Sequence, residues 1–174
     1  MRTKTLAAAA ALLTLTLGPA ATAEPAPVIT QTDRHTLSFL EFAKEQRNAA
    51  MMGKTLHALK AQVKRTRYVF AGSNTRGWDC SGLVVWAYRH FGLELPHSAT
   101  AQARLGDRVI TPAPGDIVVF AYPGRTDFYH SAIYIGGGKV INANRLFGTT
   151  LIEPLSNFKH SQVRYVRVVK QAKR

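Results

Sequence analysis

The second half of the chain is a series of short apolar segments, each ended by glycine or proline, and this pattern limits the possible folds most. The segments have the length and the β-branched and aromatic content of β-strands. The helical patterns lie earlier in the chain, so helices and strands are segregated rather than alternating. Such segregation predicts an α+β domain in which helices pack on an antiparallel sheet. The predicted strands are residues 116–122, 131–135, 139–143, 149–153 and 163–169.

Apolar residues at helical spacing predict helices before the strands. The first helix covers residues 36–52, and a second follows Gly53. A third carries a broad apolar face over residues 83–91, which predicts that it is central and largely buried. Asp79 precedes this third helix as a candidate N-cap, so Cys80 is predicted to lie in its first turn.

The N-terminus has the pattern of a secretory signal peptide over residues 1–23. A basic start and an apolar run lead to Ala21-Thr22-Ala23, which is typical of a cleavage site. The run is shorter than the roughly 20 residues that a retained membrane span needs. We therefore expect an exported protein without a stable membrane anchor. Residues 24–52 are predicted to form a linker and an N-terminal helix, and residues 53–174 the main domain.

The chain is strongly basic, with a formal net charge of +13, or +11 once Arg2 and Lys4 leave with the signal peptide. This excess predicts a polyanionic neighbour. The basic residues are scattered and form no stripe interleaved with aromatic residues, so nucleic acid is not the expected partner. For an exported protein, anionic wall polymers or lipid headgroups are the expected neighbours, and plain solubility remains an alternative reading of the charge.

Cys80 is the only cysteine of the 174 residues, so an internal disulfide is impossible. At the start of a helix, a thiol meets free backbone N–H groups and the positive end of the helix dipole, which favour the thiolate. The same N–H groups can stabilise negative charge that develops on a substrate carbonyl. Position alone leaves open the alternative that Cys80 is a small buried apolar residue.

A base for this thiol is predicted from a hairpin. His130 opens a predicted strand that a glycine turn joins to the next strand. If Gly136–Gly138 form a three-residue loop, His130, Asn142 and Asn144 share one face, with Asn142 on the diagonal from His130. A two-residue loop would shift the register by one and move Asn142 to the far side. Asn142 is the preferred partner of His130 in this register, and Asn144 is its competitor.

Cys80, His130 and Asn142 then have separate predicted roles. Cys80 is the nucleophile, His130 the general base and acid, and Asn142 the group that orients the imidazole. Amide hydrolysis would proceed through a thioester intermediate. No histidine, carboxylate and cysteine cluster has the spacing of metal ligands, so we expect neither a metal nor another cofactor.

Three segments carry a resemblance to a known family: "YVFAGSNTRGWDCSGLVVWAYRHFGLELPHSA", "PAPGDIVVFAY" and "HSAIYIGGGKVINA". They resemble the Asp-Cys-Ser-Gly-Leu block, the Pro-Gly-Asp strand and the histidine hairpin of the NlpC-type (NlpC/p-sixty) cysteine peptidases of bacterial cell walls. The likeness covers residues 53–169 and implies a circularly permuted papain-like fold for a peptidase domain at 53–174. Phe70 stands where that family usually has tryptophan.

The resemblance also implies a function and a set of site residues. Cys80 matches the family's nucleophile, His130 its base and Asn142 its third polar residue, where many relatives have histidine. Further positions match residues that line the substrate site, hold the free amine of a short peptide stem or assist the oxyanion: Tyr68, Asp79 and Ser81.

The implied substrate is the peptide stem of peptidoglycan, often cut between D-glutamate and a diamino acid. We expect an exported monomer that cleaves such stems. The alternatives are an amidase or acyltransferase with the same thiol chemistry, and a non-catalytic wall-binding module. His97, in the loop after Leu95-Pro96, is expected to be an exposed polar residue.

Overall fold

Helices precede the main sheet in the structure, a computed structural model that describes residues 31–170. The predicted signal peptide and residues 24–30 lie outside the described residues. Asp79 caps the central helix as predicted, because its side chain accepts a hydrogen bond from the backbone N–H of Gly82. The helices are α1 (Gln31–Lys60), α2 (Cys80–Arg89) and α3 (Ala99–Gln102).

The main sheet has six antiparallel strands, and every predicted strand is confirmed within two residues at either end. Its order is β3-β8-β4-β5-β6-β7, and a two-stranded pair, β1-β2, lies before α2. The edge strand β3 was not predicted, since its three residues include two charged ones and form no apolar run. The strands are β1 (Ser73–Asn74), β2 (Gly77–Trp78), β3 (Asp107–Val109), β4 (Ile117–Ala121), β5 (His130–Gly136), β6 (Lys139–Asn144), β7 (Thr149–Pro154) and β8 (Gln162–Arg167).

Helix α1 runs without a break through Gly53, so the prediction of two separate helices is wrong. A glycine in a helix interior costs only about 1 kcal/mol relative to alanine. Met52, Leu56 and Leu59 lie on either side of Gly53 and are at most 8% exposed, so their burial outweighs that cost. Within residues 31–170, no helix combines the length and apolar character needed to cross a bilayer.

The core lies between the helices and one face of the sheet. Leu83, Val84 and Ala87 of α2 are buried in the same cluster as Ile117 of β4 and Ile133 of β5. Alternate residues of the strands point to the opposite face. There they form a smaller buried cluster under the 3₁₀ turn Leu155–Phe158: Val118, Phe120, Ala132 and Val140. The α+β architecture with helices on an antiparallel sheet is confirmed.

A buried ion pair joins the central strands. Asp116 is 1% exposed, and its carboxylate accepts from Nε of Arg167 at 2.9 Å and from Nη2 at 2.7 Å. The same carboxylate accepts from the backbone N–H of Ala113 at 2.7 Å. The Pro-Gly-Asp segment of the sequence therefore has a structural role, because its aspartate fixes the start of β4 against β8.

Candidate active site

Cys80 lies in the first turn of α2, as predicted, with its side chain partly exposed and unpaired with any cysteine. Backbone N–H groups of Ser131, Ser81 and Cys80 itself hydrogen-bond to its sulfur and lower the thiol pKa. Ser131 directly follows His130, so the structure brings the thiol to the beginning of β5. The first turn of α2 thus meets the start of β5, the strand that begins at His130.

Burial of the thiol works against the predicted thiolate. Loss of solvent raises the pKa of Cys80 above its ordinary value, and the negative charge of Asp79 raises it further. The hydrogen bonds from the backbone N–H groups only partly offset this increase. The free thiol is therefore held in its neutral form at neutral pH, rather than as the anion that its place at a helix N-terminus favours.

His130 is enclosed by aromatic rings. The rings of Phe120, Phe158 and Tyr129 have their centres 5.6, 5.8 and 6.3 Å from the imidazole centre. Burial lowers the pKa of His130 to about 4, although the hydrogen bond with Asn142 and the charge of Glu153 act in the opposite direction. The imidazole is consequently neutral at neutral pH and able to accept a proton.

The hairpin that carries His130 has the predicted strand register but a different loop. Ile133 pairs with Ile141, as predicted, whereas Gly136 rather than Ile135 pairs with Lys139. The loop is therefore two residues long, and the prediction of a three-residue loop is wrong. A β-bulge between Tyr134 and Gly136 takes up the extra residue. This bulge restores the register that a two-residue loop alone would have shifted.

Asn142, not Asn144, contacts the imidazole. Nε2 of His130 lies 3.2 Å from Oδ1 of Asn142, whose side chain is fully buried. Oδ1 of Asn144 instead accepts from the backbone N–H groups of Leu146 and Phe147 in the turn after β6. Because an amide oxygen only accepts, Nε2 of His130 carries the proton and Nδ1 has the free electron pair.

Asp79 accepts hydrogen bonds at both carboxylate oxygens. Oδ1 accepts from the hydroxyl of Ser81 at 3.0 Å and from the N–H of Gly82 at 2.7 Å, and it lies 2.7 Å from Nε2 of His97. Oδ2 accepts from the backbone N–H of Ala71 at 2.9 Å. The carboxylate therefore binds the loop before α2, the first turn of α2 and the loop after it.

His97 has a specific contact that the sequence analysis missed. Its side chain is 31% exposed, as expected for a polar loop residue, but it forms an ion pair or hydrogen bond with the largely buried Asp79. The signal available in the sequence was indirect. His97 follows α2, the helix that Asp79 caps, and it comes directly after the Leu-Pro segment in the loop behind that helix.

Tyr68 and Ser81 also lie at this site. Burial and the charges of Cys80 and Asp79 raise the pKa of the half-buried Tyr68, so its hydroxyl lies within electrostatic range of both groups. Arg145, in the turn after β6, has the opposite effect on that pKa. The hydroxyl of Ser81, by contrast, is buried and directed to Asp79. The structure therefore places Tyr68, Asp79 and Ser81 around Cys80, and Asn142 beside His130.

Comparison with known proteins finds relatives that are named as peptidases. Murein DD-endopeptidase MepS/Murein LD-carboxypeptidase of Escherichia coli strain K12 is 33% identical over 132 residues, which are 72% of this chain and 69% of that protein. Gamma-D-glutamyl-L-lysine dipeptidyl-peptidase of Bacillus cereus is 34% identical over 92 residues, 51% of this chain and 28% of that protein. A probable endopeptidase of Mycobacterium tuberculosis is 39% identical over 79 residues, 44% of this chain.

The chain spans 20% of the length of that mycobacterial relative. Among solved structures, an NlpC/P60 family protein from Bacillus cereus superposes with a TM-score of 0.62 and 27% identity over 68% of this chain and 40% of that one. The family model described as NlpC/P60 family matches residues 65–170, a range that contains every site residue described above. This chain belongs to the NlpC/P60 family.

Proposed function

We propose that the chain is a cysteine endopeptidase that hydrolyses amide bonds in the stem peptides of peptidoglycan. The observation that carries this proposal is the arrangement of Cys80 and His130. The thiol lies at the start of a helix and is reached by the backbone N–H of Ser131, the residue after His130, whose imidazole is held by Asn142. The names of the relatives, which refer to murein and to a γ-D-glutamyl bond, support the substrate class.

In this mechanism the resting pair is neutral. As the sulfur of Cys80 attacks the amide carbonyl, its proton passes to Nδ1 of His130, and the imidazolium is stabilised through Nε2 by Asn142. Nδ1 of His130 then gives the proton to the departing amine, which leaves a thioester on Cys80. Water, deprotonated by His130, hydrolyses the thioester and restores the thiol.

Tyr68, Asp79 and Ser81 are proposed to form the part of the site that binds the stem. Asp79 already accepts several hydrogen bonds, so we assign it an electrostatic and organising role. The half-buried hydroxyl of Tyr68 is the member of this group that a substrate can contact. His97, whose side chain is 31% exposed, contacts Asp79 and extends the group.

Export and wall association belong to the same proposal. The pattern of residues 1–23 supports secretion, and the net charge of +11 that remains after loss of Arg2 and Lys4 suits anionic wall polymers. We propose that the chain acts as a monomer on the wall, without a nucleic-acid partner and without a metal or other cofactor.

The test is product analysis on purified sacculi. The wild-type protein is expected to release peptides that mass spectrometry assigns to cleavage of one stem bond, and Cys80→Ala to release none while still sedimenting with sacculi. His160→Ala, a change at an exposed histidine outside the site, serves as the matched control and should keep full activity. Undiminished cleavage by Cys80→Ala would exclude the thiol mechanism.

The identity of the products separates the remaining alternatives. Cleavage between D-glutamate and the diamino acid would support the preferred bond, whereas conversion of cross-linked stems into intact monomeric stems would indicate the D,D bond. Release of intact stems from the glycan would indicate an amidase, and transfer to an added amine an acyltransferase. Binding to sacculi without any product from the wild-type protein would indicate a non-catalytic wall-binding module.

A further inference from the structure

Behind Asn142 lies a carboxylate that neither the sequence motifs nor the proposed reaction uses. Oε2 of Glu153, on β7, accepts from Nδ2 of Asn142 at 2.8 Å and from Nδ2 of Asn144 at 2.9 Å. Its other oxygen, Oε1, accepts from Nδ2 of Asn157 at 3.4 Å. The side chain of Glu153 is partly buried, and in residues 31–170 it forms no ion pair with a basic residue.

A carboxylate can only accept hydrogen bonds, and this restriction determines which way the Asn142 amide points. The Nδ2 group must face Glu153, so the Oδ1 atom faces His130. If the amide were flipped, its oxygen would lie against the carboxylate and its N–H group against the imidazole. The two oxygens would then repel each other, and a fully buried amide would lose a hydrogen bond.

The direction of the amide in turn selects the tautomer of His130. An oxygen beside Nε2 requires a proton on Nε2, which leaves the electron pair on Nδ1. An N–H group beside Nε2 would require the other tautomer, with the proton on Nδ1. In the proposed mechanism only the first tautomer can accept the proton of Cys80 through Nδ1.

We propose that Glu153 is a positioning residue that sets the reactive tautomer of His130 by fixing the orientation of Asn142. This inference rests on the proposed function only for its kinetic consequence, since the tautomer itself can be observed without any substrate. A neutral amide such as that of Asn142 can adopt two flipped orientations of similar shape, and the carboxylate of Glu153 disfavours one of them. Its negative charge also stabilises the imidazolium that forms when the thiol is deprotonated.

Two variants of Glu153 separate its hydrogen bonds from its charge. Glu153→Gln keeps an acceptor oxygen for the two asparagine N–H groups, whereas Glu153→Met keeps the length of the side chain and removes the acceptor. We expect Glu153→Met to lower kcat on soluble muropeptides prepared from sacculi by about 10- to 100-fold, the range known for loss of a group that orients a metal-binding histidine. KM should change little, and Glu153→Gln should recover most of the activity.

A double-mutant cycle tests whether Glu153 acts through Asn142. Asn142→Ala alone should lower kcat, and adding Glu153→Met should lower it only slightly further, through the lost charge of the carboxylate. Additive losses in the double variant would overturn the proposal, because they would show that Glu153 acts through another route. Asn157→Ala, which removes a donor to the same carboxylate without touching Asn142, is the matched control and should keep wild-type kcat.

Nitrogen NMR of the imidazole gives a readout that does not depend on activity. The wild-type protein at neutral pH should carry the His130 proton on Nε2, and Glu153→Met should show a mixture of tautomers. A proton on Nδ1 in the wild-type protein would overturn the proposal even if no variant folds. If the tautomers behave as expected but Cys80→Ala still cleaves muropeptides, the proposed function fails and the positioning role of Glu153 stands.

Discussion

Removal of the Asp116 carboxylate is expected to be one of the most destabilising single changes in the domain. Asp116→Ala leaves the guanidinium of Arg167, which is 25% exposed, without the two hydrogen bonds that it now donates. It also leaves the N–H of Ala113 without its acceptor. Removal of one member of a buried ion pair typically costs about 3–5 kcal/mol, because the other charge stays buried and unpaired. We expect the free energy of unfolding to fall by about 4 kcal/mol.

The assay is urea unfolding followed by fluorescence of Trp78, which is fully buried in the native state. Asp127→Ala is the matched control, since Asp127 pairs with Arg125 through side chains that are 64% and 65% exposed. Exposed pairs of this kind contribute little to stability, so the control should unfold like the wild-type protein. Equal urea midpoints for the two variants would refute the assignment of Asp116 to a buried structural pair.

Two further changes probe the packing and the titration of the site. Gly82→Ala places a Cβ atom where it overlaps the carbonyl oxygen of Gly72 and lies 3.0 Å from Nε2 of His97. The free energy of unfolding, measured by thermal melts, should fall by about 1–3 kcal/mol. In the same melts Gly53→Ala, whose Cβ meets nothing within 4 Å, should stabilise α1 slightly. The second change is acidification. Because the pKa of His130 is about 4 in the folded chain and 6.5 in the unfolded chain, the unfolded state binds the extra proton between these values. The difference in free energy of unfolding between wild type and His130→Gln should therefore decrease by about 3 kcal/mol as the pH falls from 6.5 to 4. A difference that does not change with pH would contradict the burial of a neutral imidazole.

The sequence predicts those features of the site that depend on helix capping and on the pairing of adjacent strands. The N-cap at Asp79 and the thiol after it follow from a polar residue before an apolar helical face. The alignment of Asn142 with His130 follows from strand pairing, which has a period of two. Even there the loop length was wrong, and the correct register survived because the bulge near Ile135 compensates for the shorter turn.

The parts that the sequence could not predict depend on contacts between distant segments. Glu153 reaches Asn142 only because β7 lies beside β6, and no spacing rule relates a glutamate to an asparagine eleven positions before it. His97 reaches Asp79 because the loop after α2 folds back over the first turn of that helix. The sequence also could not predict that the thiol is neutral, since its protonation depends on how much solvent the folded site excludes.

These distant contacts alter how the proposed reaction would begin. At a solvent-exposed helix N-terminus, the helix dipole and the N–H groups would favour a thiolate before substrate binds. Here burial opposes charge on Cys80 and on His130 together, so a separated ion pair is unfavourable in the free site. Transfer of the proton from Cys80 to His130 is then most favourable when a substrate carbonyl can take up the negative charge of the sulfur. The carboxylate of Glu153, behind the imidazolium, stabilises the positive charge. A free site with a neutral thiol also contains less of the anion that oxidants attack.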